Sequence, residues 1–314
     1  MNVPVRRALA LGAALVMVLG LGACGDDPAP EGVKPRSLPN KPEGDALPEP
    51  EALEDGFRWA GVIETATERT IETSASDNGP RPVMRGSAKI TFSQTHRTGP
   101  NARVEFTARF SDITNQDGPA PQLSGTCVGT MPLDRQGTPR SQDLTVEGKH
   151  GPRLRTLIQT MVAPTLFGSR TWFPDRPVRV GEAWEAREFV FLPSLVKVLN
   201  LDQNPAVTYS EPVLSGGCRL LELERPEDGP AVLVLELDIV LNSEASIRRG
   251  RETATSTWSY RVQGTARMDL ATRLLRGAKL TTTLRNQQRS GQMRTDDQWL
   301  IDFAATAGPA KAGS

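Results

Sequence analysis

The chain has 314 residues, with 37 basic and 37 acidic side chains and a formal net charge of +0. This balance argues against a general nucleic-acid binder, because such proteins carry a basic surface that neutralises phosphates. A hydrophobic fraction of 38% and a mean hydropathy of −0.36 exclude a protein with many membrane spans. With only 2 His and 3 Cys, the chain has few of the side chains that form metal sites and catalytic nucleophiles.

The first residues of the chain indicate export. Arg6 and Arg7 give a positive start, and residues 8–23 follow without a charge. This uncharged run is typical of a signal peptide and short for a transmembrane helix of about 20 residues. We therefore predict that residues 1–23 are a signal peptide.

The uncharged run ends in Leu21-Gly22-Ala23-Cys24. This tetrad resembles the lipobox of bacterial lipoproteins, and the resemblance implies cleavage before Cys24, a diacylglycerol thioether on its sulfur and an acyl chain on its amine. Since two or more chains give stable anchoring, the mature protein is expected on a membrane of the cell envelope. Gly25 in place of an acidic residue favours the outer membrane. An ordinary signal peptide with an incidental Cys, or an uncleaved anchor, is the alternative.

Residues 24–54 are predicted to be a lipidated Cys followed by a tether. Between residues 25 and 54 seven prolines are interspersed with acidic side chains, and no aromatic residue occurs. Such a composition buries too little apolar surface to offset its ordering entropy, so we expect an extended, semi-rigid segment. An arm packed on the body is the alternative. The Ala- and Gly-rich residues 305–314 are predicted to be a disordered tail.

Residues 55–304 predict a mainly β, β-rich α+β body. Apolar and polar residues alternate along several segments, as at residues 103–110. This period is typical of antiparallel sheets with one solvated face, which we expect to form an open or half-barrel body. Residues 231–241 are more uniformly apolar and predict a more buried strand. Apolar residues at helical spacing predict one or two short helices, at 152–167 and 192–201.

The body divides into halves at 55–150 and 178–304, joined by a helical bridge. They form either one continuous sheet or two related lobes. Two segments resemble sequence motifs of the uncharacterised DUF6263 lipoprotein family, namely Phe173 to Trp184 and Met268 to Leu275. That resemblance implies a β-rich half and carries no activity or catalytic residue.

These two motifs also have a physical interpretation. Gly181 predicts a tight turn into a strand that presents Trp184 to the core, or alternatively to a ligand site. In the resembling family a Gly usually stands where this chain has Arg273, and Gly adopts positive φ freely.

Cys127 and Cys218 are the thiols that remain after Cys24 is modified. An exported protein meets an oxidising compartment, so we predict a disulfide between them. Such a bridge would close a loop of about 90 residues, which the loop-entropy argument values at roughly 4–5 kcal/mol. Two free cysteines are the alternative.

The sequence shows no catalytic, metal or cofactor motif. His96 and His150 have no second ligand at zinc spacing, and we predict that both are solvated or hydrogen-bonded surface residues. Four carboxylates lie at two-residue spacing on predicted strands, which predicts a solvated sheet face and, as the alternative, a hydrolase site. These carboxylates are Glu222, Glu224, Glu236 and Asp238.

The sequence therefore predicts a non-enzymatic envelope lipoprotein that acts as a scaffold or interaction module. The first alternative is a carrier of an apolar or lipid ligand in a β-rich cavity, and the second is a hydrolase. A filled core with polar faces would favour the module, whereas a deep aromatic-lined cavity would favour the carrier. No cofactor and no nucleic-acid partner are expected, while the membrane and either an envelope protein partner or an apolar ligand are.

Overall fold

The computed structural model describes residues 34–73, 83–133, 140, 143–148, 169–174, 176–185, 207–210, 213–249, 252–290 and 293–310. The lipobox, His150 and the two predicted helices lie outside these ranges. Within them, no helix has the length and apolar character needed to cross a membrane.

Thirteen strands are present in the described part of the chain. The first six are β1 Arg58–Thr73, β2 Val83–Arg97, β3 Arg103–Asn115, β4 Gly118–Pro119, β5 Gly125–Pro132 and β6 Thr145–Gly148. The others are β7 Ala183–Glu185, β8 Val207–Tyr209, β9 Val213–Glu224, β10 Val232–Arg249, β11 Glu252–Asp269, β12 Leu275–Ser290 and β13 Met293–Pro309. Short 3-10 turns occur at Pro121–Leu123 and Ser169–Trp172.

The strands form one antiparallel sheet in the order β6-β5-β3-β2-β1-β13-β12-β11-β10-β9-β7, with β4 beside β3 and β8 beside β10. Strand β1 pairs with β13 over 15 residue pairs, from Trp59 with Pro309 to Thr73 with Thr295. This pairing joins the two predicted halves, so they are one continuous sheet and not two lobes. The predicted mainly β fold with an open antiparallel sheet is confirmed.

One face of the sheet carries the hydrophobic core, and the period-two alternation explains why. In β3, Val104, Phe106, Ala108 and Phe110 are buried, whereas Thr107 and Arg109 between them are exposed. Strand β10 differs because residues on both of its faces are buried, which confirms the more buried strand predicted at 231–241. The largest fully buried side chains of the core include Trp59, Phe92, Phe110 and Ile63.

The predicted tether through residue 54 is corrected by the structure from Pro35 onward. Residues 35–54, which we call the arm, lie along the body. The backbone N–H of Lys41 donates to Gly181 O at 2.9 Å, and that of Leu47 donates to Val178 O at 2.7 Å. The Leu47 side chain is 7% exposed and belongs to the core. The alternative of a packed arm describes this segment, because the buried Leu47, the partly buried Leu53 and several backbone hydrogen bonds fix it on the body.

The predicted disordered tail at 305–314 is also corrected in part. Strand β13 continues to Pro309, and Ala305 is buried in the core. Small side chains reduce the apolar area but leave the ladder bonds to β1 intact, so the composition underestimated the length of this strand.

Two turns position the arm against the sheet. Gly181 adopts φ +82, and a Cβ there would lie 1.9 Å from the carbonyl oxygen of Lys41. Arg273 adopts φ +56 without the help of a glycine. Its guanidinium compensates by donating to Pro48 O at 2.7 Å and by lying 5.0 Å from the ring centre of Phe173. The arm therefore stabilises the strained turn that it contacts.

Candidate functional site

A cavity of about 910 Å³, which we call the groove, crosses strands β1, β13, β12, β11, β10 and β9 and is bordered by Arg36 of the arm. Its charged lining residues are Arg36, Glu64, Glu236, Asp238, Arg261, Lys279 and Asp302. Core residues such as Leu237, Leu280 and Phe303 also line it, so the groove offers both charged and apolar contacts.

The charged residues of the groove lie on the face of the sheet opposite to the core. Along each strand they alternate with core residues, as Glu64 does with Ile63 and Asp302 does with Phe303. Because successive side chains of a strand point to opposite faces, the same strands present a core face and a groove face. The pairing of Asp302 with Thr281 and of Thr281 with Gln263 aligns these side chains across the strands.

Asp238 is the most buried charged group of the groove, at 3% exposure. Its two carboxylate oxygens accept hydrogen bonds from Arg261 Nε and Nη2 at 2.8 and 2.7 Å. The backbone N–H of Arg36 also donates to Asp238 Oδ2, at 2.7 Å. The hydrogen bonds that Arg261 donates to the Asp238 carboxylate raise the pKa of Arg261. A bidentate pair that is also capped by a backbone donor is a fixed structural group.

The other carboxylates predicted to share this region are distributed differently. Glu236 forms an ion pair with the guanidinium of Arg36, and Glu224 forms one with Arg267. Glu222 is exposed. The prediction of a plain solvated face therefore fails at Asp238, since its partner Arg261 and the arm bury it. Three of the four carboxylates hold arginines, and this arrangement offers no pair of free carboxyl groups for acid–base chemistry.

The part of the groove away from the arm is more open. Lys279 is exposed on β12, and Asp302 accepts a hydrogen bond from Thr281 Oγ1 at 2.8 Å. Glu64 lies 3.4 Å from Lys89 in an exposed ion pair. Exposed pairs of this kind are weak, so these groups can exchange their partners at low cost when another molecule enters.

Local backbone conformation lets the arm reach the groove. Gly216 of β9 adopts φ +85, and a Cβ there would lie 2.9 Å from the Cβ of Pro35 and 2.1 Å from Asp238 O. A glycine is therefore required where Pro35 passes the sheet. The sequence analysis did not identify Arg36 as a site residue, because the carboxylates it contacts are 200 and 202 positions away.

His96 was predicted to be a surface residue, and this prediction is wrong. It is 4% exposed, and its Nε2 lies 3.1 Å from Gln94 Nε2. Burial, together with the charge of Arg170, lowers the pKa of His96 to about 4. The imidazole is therefore neutral at physiological pH and acts as a packed core group, with the ring of Phe57 at its edge.

The structure shows no bridge between Cys127 and Cys218. Both are buried free thiols, and Cys127 Sγ lies 3.6 Å from Ala108 O. Burial raises the pKa of Cys127, and it raises the pKa of Cys218 to about 12. Neither group is therefore an activated nucleophile.

Trp184 lies in the core, and not at a ligand site, which was the alternative position predicted for it. Its Nε1 donates to Trp172 O at 2.7 Å, and its ring stacks on Phe173 at 5.7 Å between ring centres.

The sequence analysis missed a buried ion pair, in which Arg69 donates to both oxygens of Asp297 and lies 4.5 Å from the ring centre of Trp299. The polar residues at core-facing positions 69 and 297 were the available signal.

Within the described ranges, no group of three or more His, Cys, Asp or Glu side chains is arranged to hold a metal ion.

No protein-family model matches the chain, and no curated protein matches it. The solved structures similar to it include OpdQ of Pseudomonas aeruginosa, at 6% identity and a TM-score of 0.24, covering 80% of this chain and 98% of that chain. An outer membrane channel from Pseudomonas putida F1 has 8% identity and a TM-score of 0.21, covering 85% and 100%. The Ail attachment invasion locus protein of Yersinia pestis has 6% identity and a TM-score of 0.13, covering 80% and 99%. These similarities are too low to carry an argument about function.

Proposed function

We propose that this protein is a non-enzymatic interaction module that a lipid on Cys24 anchors in the bacterial cell envelope, in the outer membrane. The lipobox and the resemblance to envelope lipoproteins support the anchor and the location. The body binds a partner protein through the polar groove.

The observation that carries the binding role is the contrast between the two faces of the sheet. The core face is filled by aromatic and aliphatic side chains, and Trp59, Phe92 and Phe110 are fully buried there. A carrier of hydrocarbon chains would need these aromatics to line an open cavity instead. The groove face has room, and its charged and hydroxyl groups suit a polypeptide partner.

The charged side chains also argue against the hydrolase alternative. Asp238 and Glu236 are held by Arg261 and Arg36, and the neutral His96 is buried away from the groove in the core. A general acid–base pair needs groups that are free to exchange protons with a substrate. We therefore assign no catalytic role to these groups.

Site-specific photo-crosslinking in cells tests the binding role. A photoreactive residue replaces Lys279 in the groove, and a matched one replaces Thr107, which is exposed on β3 outside the groove. We expect one discrete crosslinked protein from position 279 that is absent from position 107. Equal patterns from both positions, or no adduct from position 279, would contradict a binding groove.

The anchor is tested separately with Cys24→Ser. We expect this variant to lose the acylated mass and to leave the membrane fraction. Unchanged fractionation and an unchanged mass would remove the lipoprotein assignment while leaving the groove experiment valid.

A further inference from the structure

The arm determines how far the body can lie from the lipid. A tether running to residue 54 could reach about 110 Å from Cys24, at about 3.6 Å per residue. The arm is fixed on the sheet at Arg36, through the backbone hydrogen bond to Asp238 and the ion pair with Glu236. The chain advances by twelve residues from Cys24 to Arg36, so these two residues lie at most about 43 Å apart in any conformation.

The attachment of the arm beyond Arg36 is continuous. Asn40 accepts a hydrogen bond from the backbone N–H of Ala183 at 3.1 Å, and Glu43 forms a β-bridge with Val180. The backbone N–H of Glu51 donates to Ala271 O at 2.8 Å. These contacts follow the arm from the groove past β7 to the turn between β11 and β12. Extending the tether would therefore require several contacts to break together.

The length of the sheet makes this limit significant. Strands β10 and β11 have 18 residues each, so they are roughly 60 Å long at about 3.3 Å per residue. The greatest possible distance from Cys24 to Arg36 is shorter than the body is long, and Arg36 lies at the border of the groove. The border of the groove therefore lies within about 43 Å of the lipidated Cys24.

We infer that the groove is the membrane-proximal surface of the protein and that its partner is a protein held at the same membrane. This inference rests on the proposed lipid anchor. The mixed charge of the lining, three bases and four acids, favours a polypeptide over anionic headgroups, which would require a basic excess.

A change of tether length tests the membrane-proximal position. About 30 Gly/Ser residues inserted between Val33 and Lys34 lengthen the connection between Cys24 and the arm by roughly 30 Å on average. The same insertion in the exposed turn after Asp228 is the matched control. The lipidated full-length protein carries a dye at Lys279→Cys and is placed in phosphatidylcholine vesicles with an acceptor on the headgroups. Cys127 and Cys218 are kept, because burial protects them from labelling.

We expect the insertion before Lys34 to lower energy transfer to the headgroups at least two-fold and the control insertion to leave it unchanged. In cells, the same insertion should lower the yield of the adduct from position 279 several-fold, because a partner on the same membrane moves out of register. Stable vesicle association with equal transfer in both variants would overturn the inference alone. An unchanged adduct yield would show that the partner is free in solution and would overturn the assignment of the partner. Loss of vesicle association in the parent protein would overturn the anchor and the inference together.

Discussion

The two faces of strands β10–β13 use the same backbone for different purposes. On the core face, Leu235, Leu280 and Phe303 are buried among other apolar side chains. On the groove face, Glu236, Lys279 and Asp302 stand one position away from them and line the groove. The comparison indicates that stability resides mainly on one face, so the exposed polar groups of the other face, away from the buried Asp238–Arg261 pair, are free to vary for binding.

The largest effect is expected on the core face. Phe92→Ala removes a ring that is 2% exposed, so the free energy of unfolding should fall by about 3–5 kcal/mol. Chemical denaturation measures this value, with Gln263→Ala on the groove face as the control. A loss below about 1 kcal/mol would mean that the core face is loosely packed, as a carrier requires.

The next effect concerns the buried ion pair on the core face. Arg69→Met leaves the Asp297 carboxylate buried without its partner, which should cost about 3–5 kcal/mol in the free energy of unfolding. The double variant Arg69→Met with Asp297→Leu should recover most of this loss, because no isolated charge remains. Denaturation of both variants, in parallel with the parent, tests the idea. A double variant as unstable as the single one would be inconsistent with it.

A pH effect should come from His96. The folded protein lowers the pKa of this imidazole from 6.5 to about 4, so between these values the unfolded chain binds more protons. Stability should therefore fall as the pH is lowered from 6.5 to 4, by about 3 kcal/mol in total. Denaturation as a function of pH measures this loss, and His96→Gln should remove it. The same pH slope in His96→Gln would assign the loss to other groups.

A smaller difference is expected at the turn that contacts the arm. Arg273→Gly and Arg273→Ala both lose the hydrogen bond to Pro48, but only glycine adopts φ +56 without strain. The glycine variant should therefore be more stable than the alanine variant by about 1 kcal/mol. Equal thermal midpoints for the two variants would show that the turn is not strained.

The smallest effect on stability is expected on the groove face. Lys279→Ala alters an exposed side chain, so the free energy of unfolding should stay within about 0.5 kcal/mol of the parent. Its effect should appear in binding instead, as a reduced adduct from a photoreactive residue at Thr281. A large loss of stability would place Lys279 in the structural framework and not in the binding surface.

The sequence predicted the parts of the fold that depend on local alternation. The period-two pattern at Val104 to Phe110 identified both the strand and its buried side, because the side-chain period of a strand is two residues. The turn at Gly181 followed from glycine chemistry. The sequence could not show whether the two halves join, because the pairing of β1 with β13 connects residues more than 200 positions apart.

The groove could be predicted only in fragments. The four carboxylates were identified as residues sharing strand faces, but the burial of Asp238 depends on Arg261 and Arg36, which approach from other elements. The prolines of residues 35–50 indicated an extended segment correctly, yet composition contains no information about the surface on which an extended segment lies. His96 was misassigned for a similar reason, because its neighbours Phe57 and Arg170 are distant in sequence.

Native mass spectrometry of the protein purified from its own membrane tests the central claim most directly. The claim is that the core is filled and that the only lipid is the anchor on Cys24. We predict the mass of the mature chain beginning at Cys24 with a diacylglycerol thioether and one N-acyl chain, and no further lipid. A stoichiometric lipid that copurifies in addition to this anchor would contradict the account and favour a carrier.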